Sequence, residues 1–310
     1  MTRPTYQSTI AYFSMEICLE QAIPTYSGGL GVLAGDTLRS AADLELPVIG
    51  ITLLHRKGYF RQHLDASGMQ TEAPVEWNPD DQLELLAPVV AVQIAGRQVQ
   101  VRAWKYVIRG VTGGEVTVLL LDSNLPDNDD WDRTLTDQLY GGDSYYRLCQ
   151  EVVLGMGGAE ILRALDYTGP VTYHMNEGHA ALVTLTLLEQ HLAGRNSFDV
   201  TEADLDNVEQ RCVFTTHTPV PAGHDKFPSA MVREVLGEER HSLLEKAQGV
   251  SDGELNMTHL ALHLSRFVNG VAMRHRDVSQ GMFPSFPVNS ITNGVHAVTW
   301  THPAFRELYD

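Results

Sequence analysis

The run VIGITLL from Val48 to Leu54 is continuously apolar and follows Pro47, which stops a helix-like stretch from Val32 to Leu46. Apolar residues without alternation suit a strand covered on both faces, as in a parallel sheet whose crossover helices lie above and below it. Together with the β-rich run from Ser8 to Ser14 and the turn from Pro24 to Gly31, this makes a β-turn-α-β unit. The grammar returns later. Strand candidates at Val171 to Met175 and Cys212 to Thr216 alternate with helix candidates at Gly178 to Leu192 and His259 to Val278, the pattern of an α/β fold. Each apolar strand ends in polar residues, and in an open parallel sheet ligands sit at the carboxyl ends of strands.

Between about His55 and Asp122 the pattern changes. Val99, Val101 and Ala103 alternate with Gln98, Gln100 and Arg102, and EVTVLLLD follows a turn at Gly113 and Gly114, which reads as an antiparallel insertion. A polar, Asp-rich loop from Asp122 to Asp132 leads into a long helix with Leu148, Val152, Met156, Ala159 and Leu162 on one stripe. With 310 residues and no internal repeat or Pro-rich linker, the chain reads as one large domain. Division into two domains near residue 125 is the alternative.

Thirty-nine acidic against 22 basic side chains give a formal charge of -17, which repels phosphate backbones and anionic lipid over most of the surface. Nucleic acid and membranes are therefore not expected partners, and neutral, hydroxyl-rich ligands fit better. Cys18, Cys149 and Cys212 form no CxxC pair and no disulfide framework, so a reducing, cytoplasmic setting is expected. Ser14 and Glu16 interrupt the first apolar run before it reaches the length of a signal-peptide core or a spanning helix.

Four turns carry candidate chemistry. Tyr26-Ser27-Gly28-Gly29-Leu30-Gly31 sets three glycines just before a helix whose first amides point at whatever sits in front. Such a start binds anions or hydroxyls without a basic side chain, and equally serves as a plain cap. It is neither GxGxxG nor a P-loop, so it does not imply a nucleotide. Tyr173-His174-Met175-Asn176-Glu177-Gly178-His179 follows an apolar strand and opens a helix, with Asn176 or Glu177 as cap. Its two histidines and carboxylate raise a metal reading, but the spacing is not HExxH, and hydrogen bonding to a polar ligand or a role as helix-dipole partner fits better.

Thr215-Thr216-His217-Thr218-Pro219-Val220-Pro221 ends another strand, with His224 and Asp225 shortly after. Two prolines fix the loop's dihedrals, so His217 is either presented rigidly to a ligand or satisfied in the core. In Ser290-Ile291-Thr292-Asn293-Gly294-Val295-His296, Asn293 can donate and accept together, as a hydroxyl partner must, or form a plain Asn-Gly turn. No Ser-His-Asp order, cysteine nucleophile or carboxylate pair asserts itself, and spacing alone stops at an α/β domain for a polar ligand.

At these residues the chain resembles the α-glucan (glycogen, starch or maltodextrin) phosphorylases, in particular their shorter bacterial and archaeal branch. The likeness runs through YFSMEI at Tyr12 to Ile17, YSGGLGVLAGD at Tyr26 to Asp36, LLHRKGYFRQ at Leu53 to Gln62 and LYGGD at Leu139 to Asp143. It continues through HMNEGHAA at His174 to Ala181, FTTHTPVPAGHDKF at Phe214 to Phe227, VNGVAMRH at Val268 to His275 and SITNGVHAVTW at Ser290 to Trp300.

The resemblance implies a GT-B glycosyltransferase of two Rossmann-like, doubly wound domains, this chain being the first, residues 1–310, with the antiparallel insertion at about 55–122. It implies transfer of glucosyl units from the non-reducing end of an α-1,4-glucan or maltooligosaccharide to inorganic phosphate, giving α-glucose 1-phosphate. Pyridoxal phosphate would assist through its own phosphate. By motif, the amides of Gly28, Gly29, Leu30 and Gly31 face the substrate phosphate, with Leu30 near the sugar. His217 is the catalytic-site histidine that meets the glucosyl 6-hydroxyl, and Asn293 is a second sugar partner. Glu177 and His179 belong to the acceptor side, while Tyr12 and Gly29 approach the cofactor.

The family's second half, with its Schiff-base lysine, would begin after about Trp300, and Lys57, Lys105, Lys226 and Lys246 match no such motif. A chain inactive without a carboxyl-terminal half in the same or another polypeptide is expected, with an apolar face near Trp300 to receive it; a homodimer is compatible. The alternatives are a non-catalytic glucan-binding module and a nucleotide-sugar-dependent glucan synthase. The synthases place a lysine just upstream of the glycine turn, where Thr25, Tyr26 and Ser27 stand here.

Overall fold

The computed structural model describes residues 8–308 apart from Thr168, 196–198, 221–222, Pro303 and 306–307. Pro221, one of the two prolines expected to stiffen the His217 loop, thus lies outside the described residues. Nine strands form the main sheet: β1 (Thr9–Ser14), β2 (Val48–Leu53), β3 (Glu84–Ile94), β4 (Arg97–Arg109), β5 (Glu115–Asp122), β6 (Val171–Asn176), β7 (Cys212–Thr216), β8 (Phe267–Gly270) and β9 (Asn289–Ser290). Their order across the sheet is β9-β8-β7-β6-β1-β2-β5-β4-β3.

Every pair from β9 to β5 is parallel, and the pairs β5–β4 and β4–β3 are antiparallel, so β4 alone runs against the rest. The alternating residues of the middle segment therefore extend one edge of the α/β sheet. From β1 the chain builds outward through β2 to the β3–β5 side, then crosses back to place β6 against β1's other edge. The strand order reverses at β1 and β6, and a crevice opens outside their carboxyl ends.

Helix α1 (Gly29–Asp43) crosses from β1 to β2 and buries Ala34, Leu38, Ala41 and Ala42. Gly50 of β2 makes room for it: a Cβ there would lie 2.9 Å from Leu38 Cδ1. The opposite face carries the larger core, crossed by α2 (Ser144–Val152), a π-helical turn (Val153–Gly157) and α3 (Gly158–Ala164). All five stripe residues of this helix are buried, but so are Val153, Leu154 and Ile161, so it is enclosed on more than one side. Gly155 and Gly158 permit this, since Cβ atoms there would meet the Val183 amide at 2.7 Å and the Phe13 ring at 2.6 Å.

Two helix expectations need correction. Gly178 to Leu192 is a 3-10 turn (Gly178–Ala180) followed by α4 (Val183–Leu192). His259 to Val278 is not one helix: it splits into helices Met257–His263 and Met273–Met282 around β8. Pairing with β7 overrides helical spacing there, because Val268 and Asn269 are buried only when extended beside Phe214 and Thr215.

After β9 the chain returns to α1. The His296 amide and Trp300 Nε1 both donate to Asp36 Oδ2, at 3.1 and 2.8 Å, and His296 Nε2 donates to Asp43 Oδ2 at 2.8 Å. Beside this clamp Ile291, Val295, Trp300 and Phe305 stay more than half exposed. Among the described residues no helix is long and apolar enough to cross a membrane.

Candidate functional site

A cavity of about 170 Å³ lies between α1 and the ends of β6, β7 and β8, and Tyr12, His174, Asn176, His217, Asn269 and Asn293 line it. Tyr12, His217 and Asn293, singled out from three separate motifs, thus share one space. Tyr12 is buried, its ring edge-on to His174 with centroids 4.9 Å apart, and burial pushes its hydroxyl pKa well up. Its phenol stays neutral and can act only as a hydrogen-bonding group.

Two hydrogen-bond relays set the polarity of the cavity wall. The Asn176 amide nitrogen donates to Ser14 Oγ at 3.0 Å, which leaves its oxygen to accept from His217 Nε2 at 2.6 Å. Burial holds the His217 pKa down to about 4. The ring is therefore neutral near pH 7, with its proton on Nε2 and Nδ1 left as an acceptor. In the second relay Thr215 Oγ1 donates to Asn269 Oδ1 at 3.1 Å and so accepts from His174 Nε2 at 2.8 Å. Burial, then the nearby His217, brings His174 down to about 4 as well.

The glycine turn joins the same network through a residue that motif reading treated only as a break in an apolar run. Glu16 Oε2 accepts the amides of Ser27 and Gly28 at 2.7 and 3.2 Å, and Oε1 accepts the Tyr140 hydroxyl at 2.7 Å. The Ser14 hydroxyl donates to the Glu16 carbonyl at 2.7 Å, so the relay runs from His217 through Asn176 and Ser14 to the turn. The glycines divide in purpose. A Cβ on Gly31 would lie 2.5 Å from Tyr26 Cβ and 2.8 Å from Glu16 Oε2, whereas Cβ atoms on Gly28 or Gly29 would meet nothing within 4 Å. Gly31 is required by the fold; Gly28 and Gly29 leave open room before the helix.

Glu177 faces inward. Its Oε2 accepts the His217 amide at 2.8 Å and the Thr218 hydroxyl at 3.0 Å, and Oε1 accepts the Gly178 amide at 3.2 Å. It holds φ at 75°, a left-handed value costly for a side chain with a Cβ, and such strain clusters at functional sites. His179 Nε2 lies 3.2 Å from Asp225 Oδ2, and Asp225 together with Tyr140, Asp143 and Arg147 lines a second cavity of about 390 Å³. His224 is structural: its Nδ1 pairs with Thr258 Oγ1 at 2.8 Å beneath Phe283.

Below that second cavity sits a cluster that sequence reading missed. Arg147 bonds Glu151 at 3.1 Å and Asp225 at 3.3 Å, and Glu151 shares a hydrogen bond with Asp225. Burial, reinforced by the Asp225 charge, pushes the fully enclosed Glu151 carboxyl well above the usual range. Burial opposes the Asp225 charge too, yet His179 and Arg147 hold that carboxyl well below its ordinary value. Glu151 Oε2 is buried without a hydrogen-bond partner while Oε1 takes the Arg147 guanidinium, an arrangement that disfavours the charged carboxylate. The i, i+4 spacing of Arg147 and Glu151 was the available signal.

Residues 18–126 match the carbohydrate phosphorylase family. Over 96% of its length the chain is 40% identical to the glycogen phosphorylase of Mycobacterium tuberculosis, and over 99% it is 37% identical to the maltodextrin phosphorylase of Thermococcus litoralis. The chain is a relative of the carbohydrate phosphorylases. The glycogen phosphorylase of Aquifex aeolicus is 31% identical over 99% of it. The chain spans 38% of the length of the first two relatives and 46% of the third.

Pyridoxal phosphate, which phosphorylases use, needs an amine for its Schiff base and donors for its phosphate. Among the described residues neither lysine nor arginine lines the cavity holding Tyr12, His217 and Asn293. Lys57 and Lys105 pair with Asp137 and Glu84, and Lys226 borders the other cavity. The described residues that line this cavity therefore do not fit the cofactor on their own.

Proposed function

We propose that this chain is the amino-terminal, substrate-positioning part of an α-glucan phosphorylase, with residues 1–310 as the first domain of a two-domain GT-B enzyme. The supporting observation is the shared cavity of His217, Asn293 and Tyr12, joined by hydrogen bonds through Asn176, Ser14 and Glu16 to the open turn at Gly28 and Gly29. In this reading the terminal glucosyl unit of an α-1,4-glucan occupies the cavity. Neutral His217 accepts a sugar hydroxyl through Nδ1, and Asn293 both donates and accepts. Inorganic phosphate lies before α1, where the amides of its first turn and the helix dipole favour an anion and the missing side chains at Gly28 and Gly29 let it approach, the Gly28 amide itself being held by Glu16.

The chemistry asked of these residues is positioning. A ring with its pKa near 4 is a poor proton donor at pH 7, so His217 orients the sugar while the acid comes from the phosphate side. Pyridoxal phosphate and its lysine would be contributed by a carboxyl-terminal half. The same reading carries a soluble, cytoplasmic enzyme.

Titration of the chain with maltoheptaose tests the sugar half of this reading. Binding that weakens at least tenfold in both His217→Ala and Asn293→Ala supports it; binding unaffected by either change overturns it.

A further inference from the structure

Outside the cleft, Trp131 stands 40% exposed. Its ring centroid lies 5.7 Å from that of Tyr145 and 6.0 Å from that of Tyr146, the latter edge-on. Arg97 approaches with its guanidinium 5.9 Å from the Trp131 centroid and grips the buried Asp132 through two bonds of 2.8 Å. Asp129, 3.8 Å from Arg97, leaves its side chain 75% exposed. These groups border a cavity of about 330 Å³.

The donor set selects a class of ligand. Asp132 neutralises Arg97, and exposed Asp129 then repels an anion, which disfavours phosphate and nucleotides. An indole face beside a guanidinium and an exposed carboxylate suits a neutral, hydroxyl-rich ring, which presents apolar C–H faces and polar edges. The position matters as well. Ser144 borders the Tyr140–Asp225 cavity and Tyr145, the next residue, borders this one, so the first turn of α2 separates the two.

We infer that Trp131, with Arg97, Asp129 and Tyr145, forms a distal glucan subsite that catches the far sugars of a long α-glucan as it leaves the cleft past Tyr140 and Asp143. The inference rests on the glucan-phosphorylase reading for its ligand and direction. A short oligosaccharide ends before reaching Trp131, whereas a longer one gains the stacking contact, so the subsite selects for chain length.

The test is calorimetric titration of the chain and its Trp131→Ala, Trp131→Phe and Asn293→Ala variants with maltotriose and with maltoheptaose. Loss of one aromatic stacking contact corresponds to about a fivefold to tenfold weakening. Trp131→Ala is expected to weaken maltoheptaose by that factor and leave maltotriose unchanged, with Trp131→Phe close to the unsubstituted chain. Unchanged maltoheptaose binding in Trp131→Ala, or equal weakening of both sugars, overturns the subsite. Asn293→Ala reports separately on the cleft: if it binds both sugars normally, the cleft reading fails whatever Trp131 does. Matching thermal unfolding midpoints for the Trp131 variants exclude misfolding as the cause of a loss.

Discussion

The Glu177 carboxylate accepts the main-chain amide of His217 at 2.8 Å, tying the end of β6 to the loop that follows β7. It accepts the Thr218 hydroxyl and the Gly178 amide as well, so one side chain satisfies three donors at the crevice. Glu177→Ala leaves these donors unpaired and is expected to cost about 2–3 kcal/mol in urea unfolding, with Glu177→Gln milder. The sharper expectation concerns ligand. Maltoheptaose affinity falls in Glu177→Ala beyond any global unfolding, because the His217 loop loses its anchor.

The two kinds of glycine in the first turn separate by substitution. Gly31→Ala drives a methyl into Tyr26 and the Glu16 carboxylate and is expected to destabilise by about 1–3 kcal/mol. Gly28→Ala and Gly29→Ala meet nothing and are expected to change stability by less than about 0.5 kcal/mol. Thermal unfolding of the three variants checks this. Phosphate binding reverses the emphasis, with Gly29→Ala losing affinity while its fold is intact.

Burial lowers His55, His174 and His217 to about 4 each. Unfolded histidine takes up protons below about 6.5, so between that pH and 4 the unfolded state binds more protons and stability falls as pH falls. Roughly 1–2 kcal/mol per histidine is expected to be lost between pH 6.5 and 5. Urea unfolding at the two pH values measures the loss, and His217→Gln, which keeps a donor for Asn176, is expected to reduce it.

Glu151 has the opposite sign. Burial raises its carboxyl pKa well above the unfolded value, so the contribution it makes is full below the unfolded pKa and is lost as pH rises through the raised one. Glu151→Gln keeps a donor toward Asp225 and is expected to remain within about 1 kcal/mol of the unsubstituted chain, without the loss at high pH. Glu151→Ala takes a partner from Arg147, which keeps Asp225, and is expected to cost about 1–3 kcal/mol. Equal pH dependence of stability in Glu151→Gln and the unsubstituted chain would contradict the raised carboxyl pKa.

What the sequence made legible follows from how local each signal is. VIGITLL reads as a buried strand because two covered faces leave it almost wholly apolar, with the Thr52 hydroxyl donating to the Met15 carbonyl at 3.3 Å. His217 stands out because it follows another buried strand. Phe267–Gly270 was invisible as β8 because four residues carry no period, and only its pairing with Phe214 and Thr215 makes it extended. Glu16 read as a break in an apolar run, since its partners Ser27, Gly28 and Tyr140 lie 11, 12 and 124 residues away. Glu177 and His179 were recognised as one motif, yet the chain turns sharply at Glu177 and sends them to different surroundings.

The most direct measurement is glucose 1-phosphate formation from maltoheptaose and inorganic phosphate, using this chain with pyridoxal phosphate, alone and mixed with a separately expressed carboxyl-terminal phosphorylase half. Silence alone and turnover on mixing, abolished by Asn293→Ala, is the expected result, because positioning across the cleft carries much of the barrier reduction. Turnover by the chain alone, or a mixture that binds maltoheptaose without forming glucose 1-phosphate, would contradict it, the second outcome leaving a glucan-binding module.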